Sequence, residues 1–316
     1  MRENRCGANR LRLDLARRED LIAVLDLAVC ADESGIHGDA PLCIIAGYMA
    51  SVRQWERFDE RWNAVLNKAD VSDFHSKNFF AVDASGKRVG RYRLRSDKAM
   101  KCSYGDWSDN KANGFLEDLL SAIHHSQVHP IGAYVKADVF FSFSYGERKY
   151  LTGGKFRWLG ESLKWLTSGA ASKPYFLVYD HCIAEAMLRT KTGMRTLFVF
   201  DQQKQFESRA VQQFEESITV LARDNESIVR GKYAGVLFHE RFDLPGLQAA
   251  DLYTHCWYRY AVDETKTGLR YEALDRLTDK VPGMKYYSKE HLSGLFRTMP
   301  SNVRQAVRDW SEQDDH

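Results

Sequence analysis

The stretch Leu27-Ala28-Val29-Cys30-Ala31-Asp32-Glu33-Ser34-Gly35 constrains the fold more than any other part of the chain. Its apolar residues run without a break and then meet two carboxylates, a serine and a glycine. An uninterrupted run of this kind predicts a strand buried on both faces, in the middle of an α/β sheet. Ser34 and Gly35, with Gly38 and Pro41 close behind, supply a turn. Asp32 and Glu33 are therefore expected at the rim of the core. An ionised carboxylate is costly there unless positive charge meets it, and a divalent cation is the usual solution. On this stretch alone, a surface turn made of the same four residues is the alternative.

With 316 residues, 44% of them hydrophobic and 28% charged, the chain has room for one large α/β domain or two small ones. Its net charge of +2 means that any contact with nucleic acid must come from local patches. The cysteines Cys6, Cys30, Cys43, Cys102, Cys182 and Cys256 show no paired metal-ligand spacing, and several lie in apolar stretches. Buried free thiols in a reducing compartment are the expectation. No apolar run approaches the ~18–20 residues that span a bilayer. The arginines near the N-terminus precede no apolar segment before Leu21, so no signal peptide and no membrane partner are expected. A soluble cytoplasmic protein is the reading.

Residues 1–20 carry Arg2, Arg5, Arg10, Arg12, Arg17 and Arg18 and read as a flexible basic lead-in. A second strand is expected over 41–49. Beyond Ser51, an N-cap by type, Trp55, Phe58, Trp62, Val65 and Leu66 recur at three- and four-residue steps, which predicts a helix with an aromatic stripe in the core. Residues 71–80 set His75 and Lys77 beside Phe74, as at a strand edge or the rim of a site. Residues 87–101 oppose Lys87, Arg88, Arg91, Arg93, Arg95, Lys98 and Lys101 with Asp97 alone, and Gly86 and Gly90 break the run. A loop or short hairpin follows, either a solvated face or a contact to a phosphate backbone.

Further on, a helix is predicted over 110–123, with His124, His125 and His129 as loop residues after it, and a core strand over 130–135. Helices are predicted over 156–166 and 175–188, and Asp180 of the second could point inward. Residues 194–203 repeat the opening pattern, a short apolar run ending at Asp201. Two strands that both stop at Asp can set their carboxylates side by side at one sheet end, where sites in α/β folds form. A helix over 206–221 and a strand over 234–239 precede a helix that begins at Pro245-Gly246. On that last helix Gln248, Asp251, His255 and Arg259 form a polar stripe, and an Asp between Ala250 and Leu252 calls for a partner. The alternative there is a surface Asp paired with His255 or Arg259. The chain shows no internal repeat, no phosphate-binding glycine loop and no nucleophile elbow.

Three acidic residues from two strand ends and a late helix suit a divalent-metal phosphodiester hydrolase. Oxygen ligands without Cys or His spacing favour Mg²⁺ or Mn²⁺ over zinc. Asp32, Asp201 and Asp251 are the expected ligands, with Glu33 or Asp180 as a fourth. Glu33 faces the other side of a regular strand and contributes only if the strand has turned. His75 is a candidate for proton transfer or phosphate contact, and His255 and Gln248 for supporting the ligands from behind. Lys77, Arg88, Arg91, Arg93 and Arg95 would follow a nucleic-acid backbone.

The order Asp-Glu-Ser-Gly at 32–35, Phe-His-Ser-Lys at 74–77, an apolar strand ending at Asp201, and Pro-Gly-Leu-Gln-Ala-Ala-Asp-Leu at 245–252 resembles the DUF3800 family, over residues 25–262. The resemblance implies an RNase H-like α/β fold, a mixed central sheet flanked by helices. In such an arrangement Asp32 ends the first strand, Asp201 ends a later one and Asp251 sits on the closing helix. It departs in one respect: the Glu that RNase H-like nucleases carry on the first long helix has no counterpart, since Glu56 and Glu60 precede the third strand. The expected organisation is an RNase H-like domain over 21–262, a basic insertion over 83–105 and a helical extension over 263–316. The expected activity is a Mg²⁺- or Mn²⁺-dependent nuclease acting on DNA or RNA. The alternatives are a catalytically silent scaffold that binds nucleic acid or a protein partner, and a metal-dependent hydrolase of a small phosphorylated molecule.

Overall fold

The computed structural model of the chain describes residues 25–315 other than 83, 85–87, 89–92, 96–97, 101–103, 161, 168, 225–230 and 279–283. The basic lead-in of residues 1–20 lies outside the described residues, as do Arg91 and most of the insertion expected over 83–105. The described part is α/β, built on a six-stranded mixed sheet with helices on both faces.

The sheet contains β1 (Leu27–Ser34), β2 (Leu42–Ser51), β5 (His129–Lys136), β8 (Thr196–Asp201), β9 (Tyr233–His239) and β10 (Lys285–Tyr287). Two hairpins, β3 (Arg93–Arg95) with β4 (Lys98–Met100) and β6 (Phe156–Leu159) with β7 (Ser162–Trp165), stand apart from it. The strand order is β10-β5-β2-β1-β8-β9. β2 runs antiparallel to both β1 and β5, whereas β8 is parallel to β1 and β9 parallel to β8. β1 thus lies in the interior of the sheet, which explains its uninterrupted apolar run: Ala28, Val29 and Ala31 are fully buried between two layers of helix.

Its side chains alternate between those layers. Ala28 and Cys30 pack under α1 (Val52–Ala69), α3 (Asp109–Ser126), α8 (Pro245–Val262) and α9 (Leu269–Thr278), the short α2 (Ser76–Phe79) lying among them. Val29 and Ala31 pack against α6 (Tyr175–Arg189) and α7 (Glu207–Asp224), with α4 (Ala137–Phe141), α5 (Tyr145–Leu151), α10 (Lys289–Leu295) and α11 (Ser301–Asp309) completing that side. The aromatic stripe of α1 is core, with Trp55, Phe58, Trp62 and Leu66 all buried. Ser51 and Gln54 start that helix with a capping box. The turn after β1 needs Gly35: its φ is +72°, and a Cβ there would lie 1.9 Å from the carbonyl oxygen of Leu42.

Three expectations are corrected. Where a helix is expected over 156–166, Phe156–Leu159 pairs antiparallel with Ser162–Trp165; Phe156, Leu159 and Leu163 also fit helical steps, but exposure alternates along both strands and Gly160 stands at φ +67° after the first. His124 and His125 belong to the last turn of α3, where they suit the negative end of the helix dipole, and His129 begins β5. Residues 263–316 are more than a helical extension: β10 pairs with β5 at the sheet edge, and Leu292 and Val307 fill the core on the α6 face. Within the basic segment Arg93–Arg95 pairs antiparallel with Lys98–Met100. Cys30, Cys43, Cys182 and Cys256 are buried free thiols, and Cys6 and Cys102 lie outside the described residues. No helix among the described residues is long and apolar enough to cross a membrane.

Replacing Ser51 with Ala removes the side-chain acceptor for the Gln54 N–H. The variant is expected to lose about 1 kcal/mol of stability. Urea unfolding would show it as a lower midpoint at unchanged slope.

Candidate metal centre

β1 and β8 are parallel, and their pairing runs through Ala31 opposite Phe200. The next step along both strands sets Asp32 beside Asp201. Both project toward α8, because Ala28 and Cys30 of β1 and Leu197 and Val199 of β8 pack on that face. Glu33 follows the alternation toward the opposite face, and β1 has not turned at that point, since Glu33 still pairs with Ile45 of β2. β8 ends at Asp201, however, so no strand flanks Glu33 on that side and its longer side chain can reach past the strand end. One carboxylate oxygen from each of Asp32, Glu33 and Asp201 lies within 4.8 Å of the others. All three residues are buried.

Asp251 comes from α8, which packs directly on β1 and β2. Its Oδ2 accepts a 2.6 Å hydrogen bond from the Ser76 N–H at the start of α2. Asp251 is not one of the three clustered carboxylates, but with Asp32 and Glu33 it lines a cleft of about 640 Å³ that His75, Lys77 and Arg241 also line. The first part of the polar stripe on α8, Gln248 and Asp251, is buried, whereas Arg259 at its end is partly exposed. Gln248 accepts from Trp62 Nε1 and from the Phe74 N–H, both at 2.9 Å, and its Nε2 donates to the carbonyls of Arg241 and Phe242, both at 3.3 Å. One buried amide thus ties α1, the segment before α2 and the turn after β9 to the helix that carries Asp251. His255 stacks on Phe80 with ring centroids 5.4 Å apart. Arg270 covers the same ring at 5.7 Å.

Arg241 is the residue that sequence reasoning missed. It follows β9, the third parallel strand of the set, and so emerges at the same sheet edge as Asp32 and Asp201. Its Nη1 donates to Asp201 Oδ2 at 2.8 Å and its backbone N–H to Asp201 Oδ1 at 3.0 Å. Its Nη2 lies 3.0 Å from His75 Nε2. A guanidinium only donates, so His75 Nε2 is the acceptor and Nδ1 carries the proton of the neutral ring. The position two residues after a third apolar strand was the available signal.

Burial, and then the charges of Glu33, Asp201 and Asp251, push the Asp32 carboxyl well above the usual range, against the pull of Arg241. Burial with the Asp201 charge raises Glu33 from the ordinary 4.5 to about 8. Asp201 is raised by burial, partly offset by Arg241. Burial disfavours the Arg241 cation, yet Asp251, Asp32, Asp201 and Glu33 together hold its pKa above the ordinary value. His255 is lowered to about 4, chiefly by burial. Arg241 faces four carboxylates, Asp32, Glu33, Asp201 and Asp251, so this end of the cleft is short of positive charge among the described residues. Glu33 Oε2 is buried without any hydrogen-bond partner. An unpaired carboxylate oxygen within reach of two others is an oxygen-only donor set that fits Mg²⁺ or Mn²⁺.

The remaining expected residues divide. His75 and Lys77 lie on the cleft wall, and His255 lines it next to Asp251. Asp180 is held elsewhere: it accepts from Gln213 Nε2 at 2.8 Å, and burial raises its pKa to about 6 against the pull of Lys155 and Arg209. Arg88 turns inward to the Phe79 carbonyl and ring and lies 3.7 Å from Asp109. Arg91 and the side chains of Arg93 and Arg95 lie outside the described residues. Comparison of the chain with family models, curated proteins and solved structures gives no match.

Two outcomes are expected from this geometry. Between about pH 4.5 and 8 the native state keeps a proton on Glu33 that the unfolded chain releases. Its contribution to stability, in protein without metal, is therefore complete below the unfolded pKa and is lost as pH rises through the folded one. Urea midpoints measured across that window should fall more steeply for wild type than for Glu33→Gln. Replacing Gln248 with Leu strands two buried donors, at about 1–3 kcal/mol each, and denaturation of the variant measures the loss.

Proposed function

We propose that this chain is a divalent-metal-dependent nuclease of RNase H-like type. The observation that carries the reading is the convergence of Asp32, Glu33 and Asp201, buried side by side at one sheet edge, with Asp32 and Glu33 lining a cleft that has cationic walls. The sheet supports it: β1, β2 and β5 run antiparallel in succession, and β8 and β9 extend the sheet from β1 in parallel. β1 carries Asp32, β8 ends in Asp201, and Asp251 lies on a helix packed over that face. The likeness to the DUF3800 family points the same way, because the four stretches that carry it supply Asp32, His75 with Lys77, Asp201 and Asp251 to one neighbourhood.

In this reading Asp32, Glu33 and Asp201 hold Mg²⁺ or Mn²⁺, with Asp251 facing them from α8. A bound divalent ion supplies Lewis-acid activation of water and stabilisation of the leaving oxygen. The protein's own groups do the rest. Lys77, Arg259 and Arg270 on the cleft wall draw in a phosphodiester and neutralise it. His75, whose Nε2 accepts from Arg241, orients that guanidinium. The Ser76 N–H fixes the Asp251 carboxylate. A cleft of about 640 Å³ also suits a small ligand, so hydrolysis of a small phosphorylated molecule is the second reading.

The test is incubation of labelled single- and double-stranded DNA and RNA with Mn²⁺, Mg²⁺ or EDTA. Metal-dependent cleavage is expected, reduced more than about 100-fold in Asp32→Asn and Asp251→Asn. It should weaken steeply with salt, as release of counterions from a polymer requires. Tight Mn²⁺ binding without cleavage of any polymer would select the small-molecule reading, and absence of metal binding would leave a silent scaffold.

A further inference from the structure

A carboxylate group that serves only to bind divalent ions gains nothing from a fixed cation in its midst, because the cation repels the ions. Arg241 nevertheless occupies both oxygens of Asp201, with its guanidinium on Oδ2 and its backbone N–H on Oδ1. The two contacts differ in kind. The backbone bond belongs to the turn that Gln248 Nε2 anchors through the Arg241 carbonyl, so it persists wherever the side chain goes. Among the described residues the guanidinium is hydrogen-bonded at two points, Asp201 and His75, and lies 5.5 Å from the centre of the Phe242 ring, and its Nε is buried without a hydrogen-bond partner. Five N–H donors with so few engaged make a group that is parked and not locked. The side chain lines the cleft with 15% of its surface exposed, so the cleft is the direction in which it is open.

We propose that Arg241 is the built-in counter-ion of this centre: it neutralises Asp201 while the metal is absent, competes with the divalent ion for Oδ2, and on exchange is freed to meet a phosphate of the substrate in the cleft. The proposal rests on the metal-dependent reading above. The exchange replaces a single positive charge among the carboxylates with a double one, which a centre short of positive charge favours, and it breaks no covalent bond. The backbone N–H on Oδ1 keeps the Asp201 carboxylate aimed at the centre during the swap. Metal loading and phosphate recognition thereby become one event. In the empty centre the guanidinium is committed to Asp201 and His75; in the loaded centre it is available to an anion.

Isothermal titration of Mn²⁺ into wild type, Arg241→Met and Arg241→Gln separates the possibilities, with circular dichroism as the check on folding. The Gln variant keeps hydrogen-bond donors toward Asp201 and His75 without the charge. Both variants are expected to bind Mn²⁺ at least about tenfold more tightly than wild type, because a neighbouring positive charge is gone. At saturating Mn²⁺ both should cleave at least about tenfold more slowly in kcat, because the phosphate partner is gone as well. Tighter metal binding with slower turnover is a pairing that mere structural damage does not produce. Equal or weaker Mn²⁺ affinity in a folded variant overturns the proposal. In wild type, the His75 Nε2 resonance should shift during a Mg²⁺ titration as its donor leaves, and an unmoved resonance with Mg²⁺ bound overturns the proposal even if neither variant folds. Failure of wild type to bind either ion defeats the metal-dependent reading itself, a distinguishable result.

Discussion

Because β1 and β8 run parallel, both strands release their last residues at the same edge of the sheet, and the rest of the structure is arranged around what collects there. Antiparallel pairing would have sent Asp201 to the far end. With the pairing as it is, two carboxylates arrive level with each other and Glu33 curls in past the end of β8. Burial of such a group costs several kcal/mol per ion unless charge compensates. The chain answers with a third parallel strand, β9, whose exit turn delivers Arg241 to the same place.

Helix α8 completes the arrangement from above. Its first three turns are buried, which is unusual company for Gln248 and Asp251, and each is matched by specific partners. Gln248 saturates both ends of its amide with contacts to three separate segments. Removing it would disturb the positions of His75, Arg241 and Asp251 together, because one side chain holds the backbone beside the first two and shares a helix with the third. A fully satisfied polar network of this kind specifies geometry as well as adding stability.

Much of this was legible in the chain because its signals were local. An apolar run that stops at an acid reads as a buried strand with a carboxylate at its rim, and the chain carries two such runs, at Asp32 and Asp201. An Asp in an apolar helix asks for a partner, and Asp251 has one in the Ser76 N–H. What stayed hidden depended on neighbours distant in sequence. Arg241 is one arginine among many until β9 is known to lie parallel to β8. The reach of Glu33 depends on where a different strand ends. The 156–165 hairpin escaped because its apolar residues satisfy two periods at once, and β10 because three residues carry too little pattern to mark a strand.

The residues that meet at the cleft are widely separated along the polypeptide: Asp32 lies in β1, and Asp251 enters on α8, after every other strand of the sheet but β10. Contacts so distant in sequence are slow to form, since the loop between them must close before either end is rewarded. On a ribosome β1 and β2 emerge early, while β8, Arg241 and α8 are still to be made. A nascent chain therefore carries Asp32 and Glu33 without their partners until α8 has been made. The cleft is therefore assembled only once α8 has emerged, long after the two carboxylates that begin it.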